Sequence, residues 1–272
     1  MTDPNSPRPY VLAECSWPQV GEARFEVAVL PWGATEAHNR HLPYGTDNYE
    51  SEAVAIAAAG IAWDRGARVL VLPTVPFGVN TGQRDLPFCL NMMPSTQAAV
   101  LRDLFPSLQH HGIRKLVILN GHGGNDFKQV IRELQPSTPL LLVQVNWYQV
   151  VPPSAHFDEP GDHAGELETS VMLHLRPDLV RPVDSAGPGR TRTHRISGFR
   201  EGWAWMPRPW SQVTDDTGVG NPAKSTATKG SAYFAAVTER LGALLCDLSS
   251  ADPTQMFEYN LQFTSGFHGK TL

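Results

Sequence analysis

Apolar positions along the 272-residue chain fall into short, almost unbroken runs separated by longer stretches with helical spacing. The runs Phe25–Trp32, Ala67–Pro73, Arg114–Asn120 and Pro139–Trp147 are rich in Val, Ile and Leu and hardly alternate, which is the pattern of strands buried on both faces. Helix candidates follow at Asp47–Trp63, Ser95–His111, Asn125–Gln135, Ala164–Leu175 and Thr226–Leu248. Thr46 or Asp47 reads as the N-cap of the first, Gly112 closes the second, and prolines at 136 and 177 stop the third and fourth. Pro106 lies inside the second and predicts a kink or a break. Strands alternating with helices need crossover connections, so the pattern predicts an α/β fold with a mostly parallel sheet and helices on both faces.

The pattern is read as one domain over residues 1–272, with a polar tail at 1–9 and an irregular insertion at 182–224 rich in Gly, Pro, Arg and Trp. A structureless stretch of that length inside a compact domain is usually functional. Lys and Arg total 22 against 27 Asp and Glu, a net charge of −5, which argues against a nucleic-acid partner and for a small-molecule substrate. The longest near-continuous apolar stretch, Ala53 to Trp63, is broken by Gly60 and too short to span a membrane. Cys15, Cys89 and Cys246 form no CxxC pair, and the N-terminus lacks an apolar leader core, so a reducing, cytoplasmic location is expected.

Ligands of parallel α/β sheets collect where the strands end, and the loops after these strands are rich in metal-binding side chains. GATEAHNRHLPYGTD after the first run carries Glu36, His38, His41 and Asp47; NGHGGN after the third carries His122; DHAGELETS carries Asp162, His163, Glu166 and Glu168. Carboxylates and imidazoles that converge only in three dimensions suit a catalytic divalent ion, and the mixture favours Zn, Mn or Fe over Ca. Glu36 and His38 project to one side of an extended segment, and Asp47 offers two oxygens able to bridge two ions. Taken singly, Asp47 reads as a helix cap and Glu166 and Glu168 as solvated helix residues. Glu168, however, shares a stripe with Ala164, Val171, Met172 and Leu175, where an ionised carboxylate needs a cation or hydrogen-bond donors.

The segments LPWGATEAHNRHLPYGTD, LVILNGHGGN and HAGELETSVML, with GVGNPAKSTATKG later, resemble the motifs of the creatininase (creatinine amidohydrolase) family from about residue 25 to residue 248. The resemblance implies a three-layer α/β/α sandwich, frequently a homohexamer, that hydrolyses a carbon–nitrogen bond of a small molecule with two metal ions and a bridging water. Carried over by position, Glu36 and His122 bind one ion, His38 the other, Asp47 bridges them, and His163 shuttles a proton. Creatininase has a Tyr-Glu pair after the third-strand histidine, and that Glu binds the second ion; Gly123 and Gly124 stand there in this chain. Glu166, three residues after His163, is expected to fill the vacancy as a metal ligand, with Glu168 as a catalytic residue and as the competitor for that place. Glu159 and Pro160 replace the tryptophan and aspartate that precede the HAG-like motif in creatininase, so creatinine is not the expected substrate.

The expected function is therefore a metal-dependent amidohydrolase acting on an amide or cyclic amide, with a dinuclear phosphoesterase or a non-catalytic metal-binding scaffold as the rivals. Arg40 and Arg84 are candidates for a substrate anion, although surface ion pairs are the commoner role. Trp203, Trp205 and Trp210 read as an aromatic wall or a subunit contact, and His41 as a residue orienting a ligand.

Overall fold

The computed structural model describes residues 7–258; positions 1–6 of the polar tail and 259–272 lie outside the described residues. The four expected strands are β1 (Val27–Trp32), β2 (Val69–Val71), β3 (Lys115–Asn120) and β4 (Leu141–Asn146), all parallel, in the order β2-β1-β3-β4. Val29 stands opposite Val71 on one side and Val117 on the other, and Val117 opposite Val143. Successive side chains leave opposite faces of a strand, so this register stacks Val27, Val29, Val117 and Leu119 on one face and Ala28, Leu30, Leu116 and Ile118 on the other.

Five helices cover those faces: α1 (Thr46–Asp64), α2 (Pro94–His110), α3 (Phe127–Leu134), α4 (Glu166–Leu175) and α5 (Ala227–Ser250). The valine face packs against α1, α4 and α5, and the other against α2 and α3 through Leu101, Phe105, Phe127 and Leu134. The result is the three-layer α/β/α sandwich. Helix α1 is the most deeply placed, with Val54, Ala55, Ala58, Ala59 and Ala62 all sealed from solvent. Alanines lose little side-chain entropy in a helix and let it lie close to the sheet on one side and to α5 on the other.

Three details depart from the sequence pattern. Pro106 does not split α2, which runs unbroken to His110; Pro106 and Arg102, whose carbonyl loses its helical partner, both lie on the solvent side, where water can replace the missing N–H. Helix α4 starts at Glu166 rather than Ala164, because Ala164 adopts a left-handed φ of 50° that no helix accepts. A two-stranded antiparallel ribbon, β5 (Gly161–His163) and β6 (Val219–Gly220), was not evident from the pattern, since its strands are too short to show a period. The 182–224 insertion is largely irregular but well tied. Buried Asp216 accepts hydrogen bonds from the backbone of Gly189 and Gly218 and from the Thr214 hydroxyl, while Asn39 bonds both polar groups of Gly187.

Leu101 is fully buried between α2 and the sheet. Leu101→Ala should lower unfolding stability by about 2–5 kcal/mol in denaturant titrations, the usual cost of a large core cavity; a loss below about 1 kcal/mol would contradict this packing.

Candidate active site

Strands β1 and β3 are each followed directly by a glycine, Gly33 and Gly121, and the reason lies in α1. A side chain at Gly33 would come within 2.8 Å of Asp47, and one at Gly121 within 3.0 Å of the Asp47 carbonyl. Without those side chains the first turn of α1 drops onto the carboxyl edge of the sheet. Asp47 lies within that turn, after a Gly45 cap that uses no side chain, and its carboxylate is turned away from the helix end towards the loops. It therefore serves the site and not the cap.

Five residues predicted from the loops, together with Glu168, come together there. Glu36, Asp47 and His122 form one trio, Glu36, His38 and His163 a second, and His38, Asp47 and Glu168 a third, each with its ligand atoms within 4.8 Å of one another. Glu36, His38, Asp47, His122 and His163 are all buried. Each imidazole is fixed by a backbone carbonyl that can only accept: His38 Nδ1 donates to Glu36 (3.1 Å), His122 Nε2 to Val79 (3.1 Å) and His163 Nε2 to Ala37 (2.8 Å). The remaining ring nitrogen of each faces the cluster, the arrangement by which metal-binding histidines are oriented.

The carboxylate geometry fits an ion in the same way. Glu36 Oε1 and Asp47 Oδ2 lie 2.9 and 3.1 Å from His122 Nδ1, yet neither is placed to accept its hydrogen bond, and both oxygens are buried without a partner. Buried anionic oxygens left without donors beside imidazole nitrogens form a group that could hold a metal ion.

Glu166 is not brought to this cluster. It is buried on the other side of the α4 start, where it accepts the N–H groups of Asp158 (2.8 Å) and Glu159 (2.7 Å) and pairs with Lys229 of α5. It stands outside the three trios, with its charge compensated by Lys229, and this placement does not support the expectation that it completes the second metal site. Glu168 stands within the cluster instead, one oxygen accepting from the Ala164 N–H that the left-handed turn points back at it. His41 stands outside every trio and bonds Thr169, the neighbour of Glu168, through Nε2 (2.8 Å); burial and the His38 charge push its imidazole down to about 4.

Of the three tryptophans read as an aromatic wall or a subunit contact, Trp210 meets His163 edge-on at 5.3 Å and closes that side of the site, while Trp203 and Trp205 are exposed. Two further neighbours of the cluster escape sequence reasoning. Glu50, one turn after Asp47 on the alanine-rich helix, is fully buried with both carboxylate oxygens unpartnered. Burial, with Glu168 and Asp47 adding to it, pushes its carboxyl well above the usual range. A lone carboxylate among alanines was the available signal. Gln83, whose amide donates to Glu36 Oε2, carried no signal of its own.

Without an ion, the cluster balances itself with protons. Burial alone would depress His38, but the charge and hydrogen bond of Asp47 (2.9 Å) override it and raise the imidazole to about 10. His122 is raised too, burial being outweighed by Glu36 and Asp47, while the histidine charges hold Glu36 and Asp47 below the usual carboxylate range against the same burial.

A fold that presents buried imidazoles and carboxylates at the carboxyl edge of a parallel sheet belongs to the metal-dependent α/β hydrolases in architecture. More specifically, the family model described as creatinine amidohydrolase matches residues 13–245, and the chain belongs to the creatininase family of metal-dependent hydrolases. A creatinine amidohydrolase-like protein of Bacteroides fragilis NCTC 9343 is 45% identical, with a TM-score of 0.86 over 91% of this chain and 98% of its own. The mycofactocin precursor peptide peptidase of Mycolicibacterium smegmatis is 29% identical over 77% of this chain and 80% of its own length. The creatinine amidohydrolase of Pseudomonas putida is 29% identical over 62% of this chain and 73% of its own.

The protonation pattern predicts how metal-free protein responds to pH. A raised His38 stabilises the fold fully below its unfolded value of about 6.5, and that contribution is lost as pH climbs towards about 10. Lowered Glu36 and Asp47 act in the opposite sense, stabilising above about pH 4 and losing effect as pH falls. Chelator-stripped protein should thus melt highest between about pH 5 and 6.5 and progressively lower up to pH 10, and metal-loaded protein should show its optimum at higher pH because bound ligands release their protons. A melting temperature of the stripped protein that is flat from pH 6.5 to 10 would count against the cluster as described.

Proposed function

We propose that this chain is an amidohydrolase that cleaves the carbon–nitrogen bond of an amide or cyclic amide on a small molecule, using two divalent ions, Zn, Mn or Fe. The observation that carries the reading is the convergence of three imidazoles and three carboxylates, all but Glu168 buried, in which Glu36 Oε1 and Asp47 Oδ2 have no hydrogen-bond partner. Glu36 and His122 would hold one ion, His38 and Glu168 the other, and Asp47, which belongs to two of the trios, would bridge them. Metal bound there would supply the acidity that activates a water and the charge that polarises the amide oxygen.

The chain's own groups supply the rest. His163 donates Nε2–H to the Ala37 carbonyl, so Nδ1 is left to face the cluster, 3.7 Å from Glu36 Oε1 and with Trp210 against its ring. From that position it takes a proton from the attacking water and returns it to the leaving nitrogen. Glu168, partly exposed, offers the second ion the oxygen that Ala164 does not use. Gly123 and Gly124 stand where creatininase carries a bulky pair, which supports a substrate other than creatinine. A relative named as a peptide peptidase leaves a small peptide-derived amide within the substrate range.

Metal analysis of purified variants tests the ligand set: Asp47→Ala should remove most of both ions, Glu168→Gln should leave about one, and Glu166→Gln should keep both while lowering thermal stability. Full occupancy in Glu168→Gln with loss in Glu166→Gln would return the ligand role to Glu166.

A metabolite library followed by mass for addition of water identifies the substrate, and on it His163→Ala should keep both ions and turn over about 10² to 10⁴-fold more slowly, the usual worth of a positioned acid–base group. Loss of metal would make His163 a ligand; turnover of generic phosphate esters in place of amides would favour the phosphoesterase reading.

A further inference from the structure

The segment that precedes α2 lies across the first ligand loop and is fastened to it at three successive points. The Tyr44 hydroxyl donates to the Pro87 carbonyl (2.7 Å), the Ala37 N–H to Cys89 Sγ (3.2 Å), and the Leu90 N–H to the Thr35 carbonyl (3.0 Å). Phe88, in a left-handed conformation with φ of 55°, turns its ring out to solvent and lets Cys89 turn in. The thiol then donates to Gln83 Oε1 (3.3 Å), and the same amide donates through Nε2 to Glu36 Oε2. Since Glu36 and Ala37 are neighbours in the chain, these bonds close a ring: Ala37 N–H to Cys89, Cys89 to Gln83, Gln83 to Glu36. All of its members are buried.

We infer that Gln83, with its amide orientation fixed by Cys89, is the positioning residue that makes Glu36 present one oxygen, and only one, to the metal centre. The inference rests on Glu36 being a metal ligand as proposed above. A carboxylate has two equivalent oxygens, and one left free to rotate offers either or both to an ion. Here Oε2 is engaged by a neutral donor, so Oε1 alone faces His122 Nδ1 at 2.9 Å and keeps its negative charge. A lysine or arginine in place of Gln83 would supply a competing cation instead. An amide can also flip, which would set its oxygen against Glu36 Oε2 and repel it. Cys89 prevents the flip: its S–H needs an acceptor, and its sulfur is already taken by the Ala37 N–H.

The test measures divalent-ion affinity directly, by competition of Zn and of Mn against a chromogenic chelator, alongside melting of stripped and loaded protein. Gln83→Leu should raise the dissociation constant about 10 to 100-fold, the range found when a partner that orients a ligand is removed, and leave the melting temperature of stripped protein little changed. Cys89→Ser, which keeps a donor, should bind as wild type does, and Cys89→Ala should fall between wild type and Gln83→Leu. Affinity unchanged in Gln83→Leu, a drop in stripped-protein melting with no change in affinity, or equal losses in Cys89→Ser and Cys89→Ala would each overturn the inference while leaving the metal-centre reading intact. Absence of ion binding by the wild-type chain would overturn that reading, and this inference with it.

Discussion

Three carboxylates and three imidazoles meet in a space from which water is largely excluded, and the cost of burying those charges shapes everything around them. Glu36 and His38 show no exposed surface at all, and Asp47 shows 1%. An isolated carboxylate could not stay ionised in such a place. It does so here because protonated imidazoles stand against the carboxylates in the metal-free protein, and divalent ions can take over that compensation. Holding such a set together requires that no member be free to turn away. Backbone carbonyls grip the far nitrogen of each histidine, and the NGHGGN asparagines grip the loop between them, Asn120 and Asn125 bonding each other and the His122 backbone.

The fold meets this demand by bringing independent elements to one edge. Strands β1 and β3, adjacent and parallel, release their loops side by side, so that Glu36, His38 and His122 start from neighbouring positions. Helix α1 adds Asp47, and the end of β5 and the first turn of α4 add His163 and Glu168. The irregular insertion is not idle chain. Through Asn39, bonded to the Gly187 backbone and to the Thr217 hydroxyl, it is laced to the first ligand loop, and it carries Trp210 to the ring of His163.

The neighbouring glutamates of α4 show how one backbone turn divides two similar residues. Ala164 in the left-handed region places its N–H toward Glu168 and starts the helix two residues later than the apolar pattern suggests. Glu166 then falls against the N-terminus of α5, where Lys229, 63 residues away along the chain, claims its charge and the Asp158 and Glu159 N–H groups fill its other oxygen. The pair Glu166–Lys229 thereby anchors the segment leading to His163, a structural task that uses the same chemistry a metal ligand would.

The amino-acid sequence by itself determined the four strands, the five helices to within a few residues, the α/β layering and the loops in which the chemistry resides, because burial on both faces of a strand and one face of a helix leaves a periodic trace. It also singled out the residues that converge, since carboxylates and histidines packed among glycines after strands have few other uses. What it left open were matters of direction: which of Glu166 and Glu168 faces the cluster, that Asp47 serves the site and not its helix, that Glu50 is buried without a partner, and that Gln83 and Cys89 support Glu36. Each depends on a side chain or a backbone turn supplied from elsewhere in the chain, Lys229 for one glutamate, the Ala164 turn for the other, glycines 33 and 121 for Asp47, and the tertiary structure decides them because a charge goes where its compensation is, irrespective of how near that partner stands in sequence.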